Sequence, residues 1–546
     1  MEKNYKLKVF FIFHSLLIFC LFIRFFYVQV SKGKKYFDMS MKNFTVERKI
    51  EPPRAIFCDR NNTIIADNIH KFDLIISTNK RKRYLEITNK IKEFIPDIKI
   101  NKYNFSHILK RNINWEELCL IERLDIPEVY TKQDYKRVYI FKSVANLIGN
   151  LVTENRKLSS GLESFLLNKI KGKEGIEQMK VNAFGEILSR KATLNPEQNP
   201  PVQLSICMSM QNKAYELISE TRIGCVLVTD LKTGEILVSA SHPSVDTNNF
   251  NQDWNDHIKN RDNPLLNRVS SGLYPIGSIM KIFATLYLLE NNIVDENTTV
   301  NCDGEFTLGN HTFKCWKSHG QNINLQKAIS ESCDIYFYTM SKKVDLIDYL
   351  NFLRKLGFQS KIDVMHNEKK GFFIEKKRYY LYEKLLTLIG QGFFQCTPLE
   401  LTLMMNRFLS NSNLDLKILK NENSEMKFEN NDENEKPLFS VKNIEMLGLA
   451  MKNVLQKSKG TAHYAWIINK KPDMGGKTGT AQVCRLSKEE YGLSIHKKKW
   501  ERREHSLFCG YLPSDNPRYC ITVVTEHDNL AKSIAIRLSK YIESIL

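Results

Sequence analysis

The run Val9–Val30, VFFIFHSLLIFCLFIRFFYVQV, constrains this chain more than any other feature. It is 22 residues long and apolar except at His14 and Arg24. A helix needs about 20 apolar residues to cross a bilayer, so the run predicts one span near the N-terminus. A cleaved leader ends in small residues, whereas Phe25, Phe26 and Tyr27 stand here. Leu17-Ile18-Phe19 before Cys20 is too bulky for a lipoprotein site. The run reads as an uncleaved anchor, with residues 1–8 as a tail. Lys3, Lys6 and Lys8 precede it and Lys32, Lys34 and Lys35 follow it. That is a near tie under the positive-inside rule, and long downstream domains translocate whatever their charge.

The 546 residues that include this anchor leave room for two to four domains at roughly 100–200 residues each. A hydrophobic fraction of 42% with 26% charged residues fits a globular chain with a core and excludes a disordered or collagen-like one. Lys+Arg is 80 against Asp+Glu 61, a net charge of +19. Such an excess points to an anionic partner: nucleic acid, a membrane surface or an acidic polymer. The 12 Cys are too few for a disulfide scaffold at this length but enough for a metal site.

Along the chain, Asp59-Arg60-Asn61-Asn62 predicts a turn between short strands. Residues 84–97 and 158–171 carry helical apolar spacing. Asn199-Pro200-Pro201 marks a boundary between residues 31–199 and a larger domain, 200–546. Gly224–Ser241 predicts a hairpin turning at Lys232-Thr233-Gly234. Residues 279–291, 325–343 and 529–545 predict helices, and 507–512 and 519–525 strands. Residues 411–436 and 485–505 are polar stretches that predict exposed insertions. Strands, a helical middle, then strands and a closing helix make an α+β or α/β fold the expectation.

Tyr274-Pro275-Ile276-Gly277 interrupts regular structure, and Ser278-Ile279-Met280-Lys281 opens an apolar helix. Residues three apart share a helix face, so Ser278 and Lys281 fall side by side on its first turn. A Ser hydroxyl becomes a nucleophile when a neighbouring amine takes its proton, and the helix N-terminus offers N–H groups to an oxyanion. The S-x-x-K pattern alone is weak and recurs at Ser31, Ser77, Ser424 and Ser494. Two downstream motifs lift Ser278 above them: Ser332-Cys333-Asp334, and Lys477-Thr478-Gly479-Thr480 after Gly475-Gly476. S-x-x-K, S-D-N and K-T-G occur together in penicillin-binding proteins and class A β-lactamases.

On these motifs the chain resembles the class B penicillin-binding proteins, most closely the elongation type. Arg54 to Asn61 with Ile65-Ala66-Asp67-Asn68 and Ser160-Gly161-Leu162-Glu163 resemble the family's pedestal motifs. The first departs from the usual pattern at Ala55 and Asn62, where Gly is common. Asp230–Asn248, Gly390-Gln391-Gly392 and Thr397-Pro398-Leu399 resemble transpeptidase segments. The resemblance implies an anchor, an elongated mixed pedestal over 31–199, and a transpeptidase domain with a central antiparallel sheet flanked by helices. It places the chain in the bacterial inner membrane as a single-pass protein with its catalytic domain in the periplasm. It implies a Ser278 acyl-enzyme that cross-links peptidoglycan stem peptides of nascent glycan strands during elongation, with β-lactams as inhibitors. Lys281 would be the base, Ser332 a proton relay, and Lys477, Thr478 and Thr480 the grip on the donor carboxylate, around Gly479. Backbone N–H groups of Ser278 and Thr480 would form the oxyanion hole. Asp334, where Asn is commoner, would pair with Lys281 or Lys477 or cap local backbone. Implied partners are the SEDS-type glycosyltransferase RodA and MreC.

Cys302, Cys315, His319 and Cys333 follow the order C-x12-C-x3-H-x13-C. Cys3His is a set that structural zinc favours, and some elongation-type relatives hold zinc near the active site. The competing reading is a Cys302–Cys315 disulfide or unlinked buried thiols. The other cysteines show no ligand spacing. Other functional readings are a serine β-lactamase or D,D-carboxypeptidase, a septal transpeptidase, and a non-catalytic scaffold of a wall-synthesis complex. The pedestal and anchor disfavour the first, the Ser-Cys-Asp form the second, and the intact motifs the third. A nucleic-acid binder rests on charge alone. Lys497, Lys498, Lys499, Arg502 and Arg503 read as a solvated basic loop or a contact for lipid headgroups or glycan carboxylates.

Overall fold

A computed structural model describes the chain apart from residues 1, 79, 102–105, 150–159, 182–186, 251, 421–435, 485–492, 494 and 546. Helix α1, Glu2–Phe26, runs on through a wider turn at Tyr27–Ser31. Asn4–Ser31 is long and apolar enough to cross a membrane, and none of its most apolar stretch is buried by the rest of the chain. Its Phe, Leu and Ile side chains therefore face outward all round, as a lipid-facing helix requires.

The chain forms two compact units. The first holds residues 1–55, 68–137 and 171–200; the second holds 56–67, 138–170 and 201–546. Residues 56–67 and 138–170, read above with the pedestal, thus pack inside the second unit. In the first unit, β1 (Thr45–Ile50), β2 (Gly175–Val181) and β3 (Ile187–Leu194) form an antiparallel sheet in that order. Helix α2, Arg81–Lys92, buries Tyr84, Ile87, Thr88 and Ile91. Their spacing puts one stripe against Leu74, Ile76, Leu109 and Ile113. The helix expected over 84–97 is this one, ending at Lys92.

The second unit is built on β4 (Gly224–Asp230), β5 (Ile236–His242), β6 (Gly475–Ala481), β7 (His505–Leu512) and β8 (Tyr519–Thr525). The sheet order is β5-β4-β8-β7-β6, antiparallel throughout. Every residue of β4 and β8 is buried, so both faces of the sheet are covered. Helices α3 (Met208–Ile218), α7 (Pro398–Ser410), α8 (Val441–Gln456) and α9 (Ala531–Ile545) supply that cover. Between them in sequence come α4 (Met280–Glu290), α5 (Asp334–Ser341) and α6 (Leu381–Leu388). Met280 through Leu289 of α4 are all buried. A helix apolar on every side is a core helix, and α4 anchors what it carries at its N-terminus.

Four expectations need correction. The single helix over 325–343 is two, Leu325–Ser330 and Asp334–Ser341, because Ser332 takes φ 57° and breaks the run. Residues 411–420 are not an exposed insertion: Leu414, Leu416, Ile418 and Leu419 are buried, and Ser205 and Ile236 donate backbone bonds to Ile418 and Lys417. Alternating apolar residues inside a polar stretch carried that signal. The rest of 411–436, apart from Lys436, lies outside the described residues. In 485–505, residues 485–492 and 494 lie outside them, while Lys498 is buried and pairs with Glu504 and Arg222 stacks on Trp500 at 4.2 Å. Of the helix expected over 158–171, Gly161–Phe165 and Leu167–Ile170 form short turns and 158–159 lie outside.

Candidate active site

Ser278 sits in a single tight turn, Gly277–Ile279, that leads directly into α4. Gly277 has φ 53°, and a Cβ there would lie 2.4 Å from the Thr480 carbonyl oxygen. Gly390 has φ 69°, and its Cβ would lie 2.1 Å from the Gly277 carbonyl oxygen. Only glycine tolerates both the backbone angle and the approach. The Gly277 N–H donates to Gly390 O at 2.9 Å, and Gln391 Nε2 donates to Thr480 O at 3.0 Å. The serine turn is therefore held between β6 and the 390–391 loop.

Lys281, on the first turn of α4, is fully buried. Its Nζ donates to Asp334 Oδ1 at 2.7 Å, to Ser332 O at 3.0 Å and to Ser332 Oγ at 3.2 Å. Lys477 is also fully buried. Its Nζ donates to Ser332 Oγ at 3.0 Å and to Thr478 O at 3.0 Å. Two lysines from different elements thus converge on one hydroxyl, which the left-handed backbone of Ser332 presents. Ser278 stands partly exposed, and among the described residues no hydrogen bond joins it to Lys281. Burial and the nearby Lys281 charge push Lys477 well below the ordinary lysine range, with Asp334 opposing. Burial pushes the Asp334 carboxyl up against the pull of Lys281.

Thr478 and Thr480 are two apart on β6 and project from the same face. Gly479 lets the strand pass close to the serine turn: its Cβ would lie 2.7 Å from Ile276 O. Thr461 Oγ1 lies 2.7 Å from Thr478 Oγ1, and its N–H donates to Ser330 O at 3.2 Å. Thr461 links Thr478 to Ser330, and no spacing in the sequence marks it. Gln391 is legible only through its family-like Gly-Gln-Gly segment.

The ligand atoms of Cys302, Cys315, His319 and Cys333 all lie within 4.8 Å of one another. His319 Nδ1 is 3.3 Å from Cys302 Sγ and 3.5 Å from Cys315 Sγ. His319 Nε2 lies 3.1 Å from Glu331 O, a partner that fixes the Nε2–H tautomer and leaves Nδ1 free to ligate. The Asp334 N–H donates to Cys315 Sγ at 3.3 Å. Contact with Cys333 and His319 holds the Cys315 thiol well below its ordinary range. All 12 cysteines are free thiols. The donor chemistry suits a tetrahedral zinc.

The model of the penicillin binding protein transpeptidase domain matches residues 224–541, and that of the penicillin-binding protein dimerisation domain matches 49–204. The chain belongs to the class B penicillin-binding proteins. The family's three motifs are the three that meet here: Ser278 with Lys281, Ser332, and Lys477 with Thr478 and Gly479. Among its relatives is the peptidoglycan D,D-transpeptidase MrdA of Acinetobacter baumannii, 26% identical over 98% of this chain and 86% of that one. Penicillin-binding protein 2 of Helicobacter pylori, solved in complex with MreC, has a TM-score of 0.77 and 26% identity, covering 92% of this chain and 99% of the other. A chain of a peptidoglycan synthase complex that coordinates polymerization and crosslinking shares the fold: TM-score 0.67, 20% identity, 99% and 98% covered. Within the class B penicillin-binding proteins this chain is a serine transpeptidase of the elongation type.

Proposed function

We propose that Ser278 is the nucleophile that cross-links peptidoglycan stem peptides, and that the chain does so during elongation. The observation that carries this is the convergence of Lys281 and Lys477 on Ser332 Oγ, beside a serine held in the turn that leads into α4. Ser278 Oγ attacks the penultimate D-Ala carbonyl, and its proton passes to Lys281. Asp334 Oδ1, 2.7 Å from Lys281 Nζ, and the two Ser332 oxygens hold that amine in place to take it. The Ser278 and Thr480 N–H groups receive the oxyanion. The C–N bond then breaks. Ser332 accepts bonds from both lysines, so its own proton is free to reach the departing amine of terminal D-Ala, and Lys281 replaces it with the proton taken from Ser278. An acceptor amine from a neighbouring strand next attacks the ester, forming the new amide and returning the proton to Ser278. Lys477, Thr478 and Thr480 hold the donor carboxylate. A β-lactam acylates the same serine and stays.

Labelling of the full chain with a fluorescent penicillin tests this reading. Wild type takes up label, and Ser278→Ala takes up none. An unlabelled wild type overturns it.

Cys302, Cys315, His319 and Cys333 would hold one structural zinc, which would tie the 302–319 region to the turn that presents Ser332. Metal analysis of the purified protein is expected to give one zinc per chain. A zinc-free chain with a Cys302–Cys315 crosslink would sink it. The relatives' complexes support MreC and a SEDS-type glycosyltransferase such as RodA as partners. The chemistry supports an orientation with α1 in the inner membrane and the 200–546 domain in the periplasm, where the wall polymer lies.

A further inference from the structure

Four large aromatic side chains stand exposed within 22 residues: Phe372 (50%), Tyr380 (66%), Tyr382 (43%) and Phe393 (47%). Single exposed apolar residues are ordinary, but a cluster marks a contact surface. Tyr380 and Tyr382, at the start of α6, lie nearly parallel, 13° between planes and 6.0 Å between centroids. Tyr382 and Phe393 share a shallow pocket with Phe373, Tyr379, Gln391 and Gly392.

The segment that carries these rings is basic. The two acids of residues 369–384 are already engaged, Glu375 with Arg354 and Glu383 with Lys376. Lys369, Lys370, Lys377 and Arg378 are exposed and form no ion pair among the described residues. The shelf is also continuous with the active site. Gln391, in the pocket wall, donates to Thr480 O at 3.0 Å, and Gly390 O accepts from the N–H of Gly277 at 2.9 Å.

We propose that this aromatic and basic shelf docks a peptidoglycan strand, with sugar rings stacked on Tyr380, Tyr382 and Phe393 and stem carboxylates on Lys377 and Arg378. A sugar-ring face presents C–H bonds of slight positive charge, which the negative face of an aromatic ring attracts. Basic groups with no internal partner attract carboxylates. Rings already parallel need little further ordering to bind. The inference rests on the transpeptidase reading of Ser278 and extends that site to the polymer around the scissile bond.

The test uses the full chain in phosphatidylcholine nanodiscs, with a Tyr380→Ala/Tyr382→Ala variant, a Lys377→Glu/Arg378→Glu variant and a ring-preserving Tyr380→Trp variant. Penicillin acylation reports on the Ser278 turn, sedimentation with purified sacculi on strand docking, and flotation with phosphatidylglycerol vesicles on lipid binding. The first two variants are expected to keep penicillin acylation within twofold of wild type while sacculus binding weakens at least fivefold. Tyr380→Trp is expected to bind sacculi as wild type does. Sacculus binding within twofold of wild type in both altered variants overturns the proposal. So does loss of vesicle binding with sacculus binding kept, which would assign the shelf to lipid. A Tyr380→Trp variant as weak as the alanine form also overturns it, since ring stacking would then not be the cause. An unlabelled wild type that still sediments with sacculi through the shelf would instead overturn the transpeptidase reading alone.

Discussion

Two lysines, one hydroxyl and one carboxylate set the chemistry of this site at the residue scale. Lys281 and Lys477 are like charges brought close in a buried place, and Asp334 is the acid that offsets them. Removing one member of a buried pair costs about 3–5 kcal/mol, because the other stays buried and uncompensated. The Ser-x-x-Lys, Ser-Cys-Asp and Lys-Thr-Gly identities were legible because each motif is short and local. Their meeting on Ser332 Oγ was not, since it depends on contacts between residues 51 and 145 positions apart. Thr461 was invisible for the same reason. A different residue contributes to the response to acid. His505 is held down to about 4 by burial and by His527. An unfolded histidine titrates near 6.5. Between those values the unfolded chain binds the extra proton, so stability is full above about pH 6.5 and falls as pH drops toward 4. Thermal melts of the detergent-solubilised chain at pH 7, 5.5 and 4.5 are expected to show this loss, and His505→Gln is expected to flatten it.

The element that matters most is the turn before α4. Its position follows chiefly from backbone contact: Gly277 against Thr480 O and against Gly390 O. Gly390→Ala puts a Cβ 2.1 Å from the Gly277 carbonyl oxygen and forces a residue with a Cβ into φ 69°. The conformational part alone costs roughly 1–2 kcal/mol. Penicillin acylation is expected to fall at least tenfold in this variant, with a smaller effect on melting temperature, because the clash falls on the turn and not on the sheet. Wild-type acylation rates would refute the backbone account. The elements themselves were largely readable. The 224–241 hairpin carries a clear turn signal, α4 and the closing strands are unbroken apolar runs, and the closing helix carries helical spacing. The failures have one cause: local composition describes a segment's own preference, not what packs on it. Residues 411–420 look polar but place Leu414, Leu416, Ile418 and Leu419 in the core. The 325–343 run looks helical but is opened at Ser332 by its left-handed backbone.

At the scale of the whole molecule, the +19 charge takes its meaning from the anchor. The membrane that holds a transpeptidase and the polymer it cross-links are the anions its chemistry brings near. The Cys3His cluster joins two stretches of the second unit that Lys317–Glu331 and Trp316–Glu331 contacts also bridge. A metal bound only to the folded chain stabilises it by mass action, about 2.7 kcal/mol at a hundredfold excess over Kd. Chelation is therefore expected to lower the melting temperature and slow penicillin acylation together, and added zinc to restore both. An unchanged melt would remove the metal from the account. The backbone contact beneath Ser278 has a last consequence, under antibiotic selection. Gly277 and Gly390 present no side chain that could be traded to repel a drug, and any they gained would displace the nucleophile. Substitutions that spare cross-linking while lowering β-lactam susceptibility must arise elsewhere around the cleft, and these two codons should stay unchanged in resistant lineages.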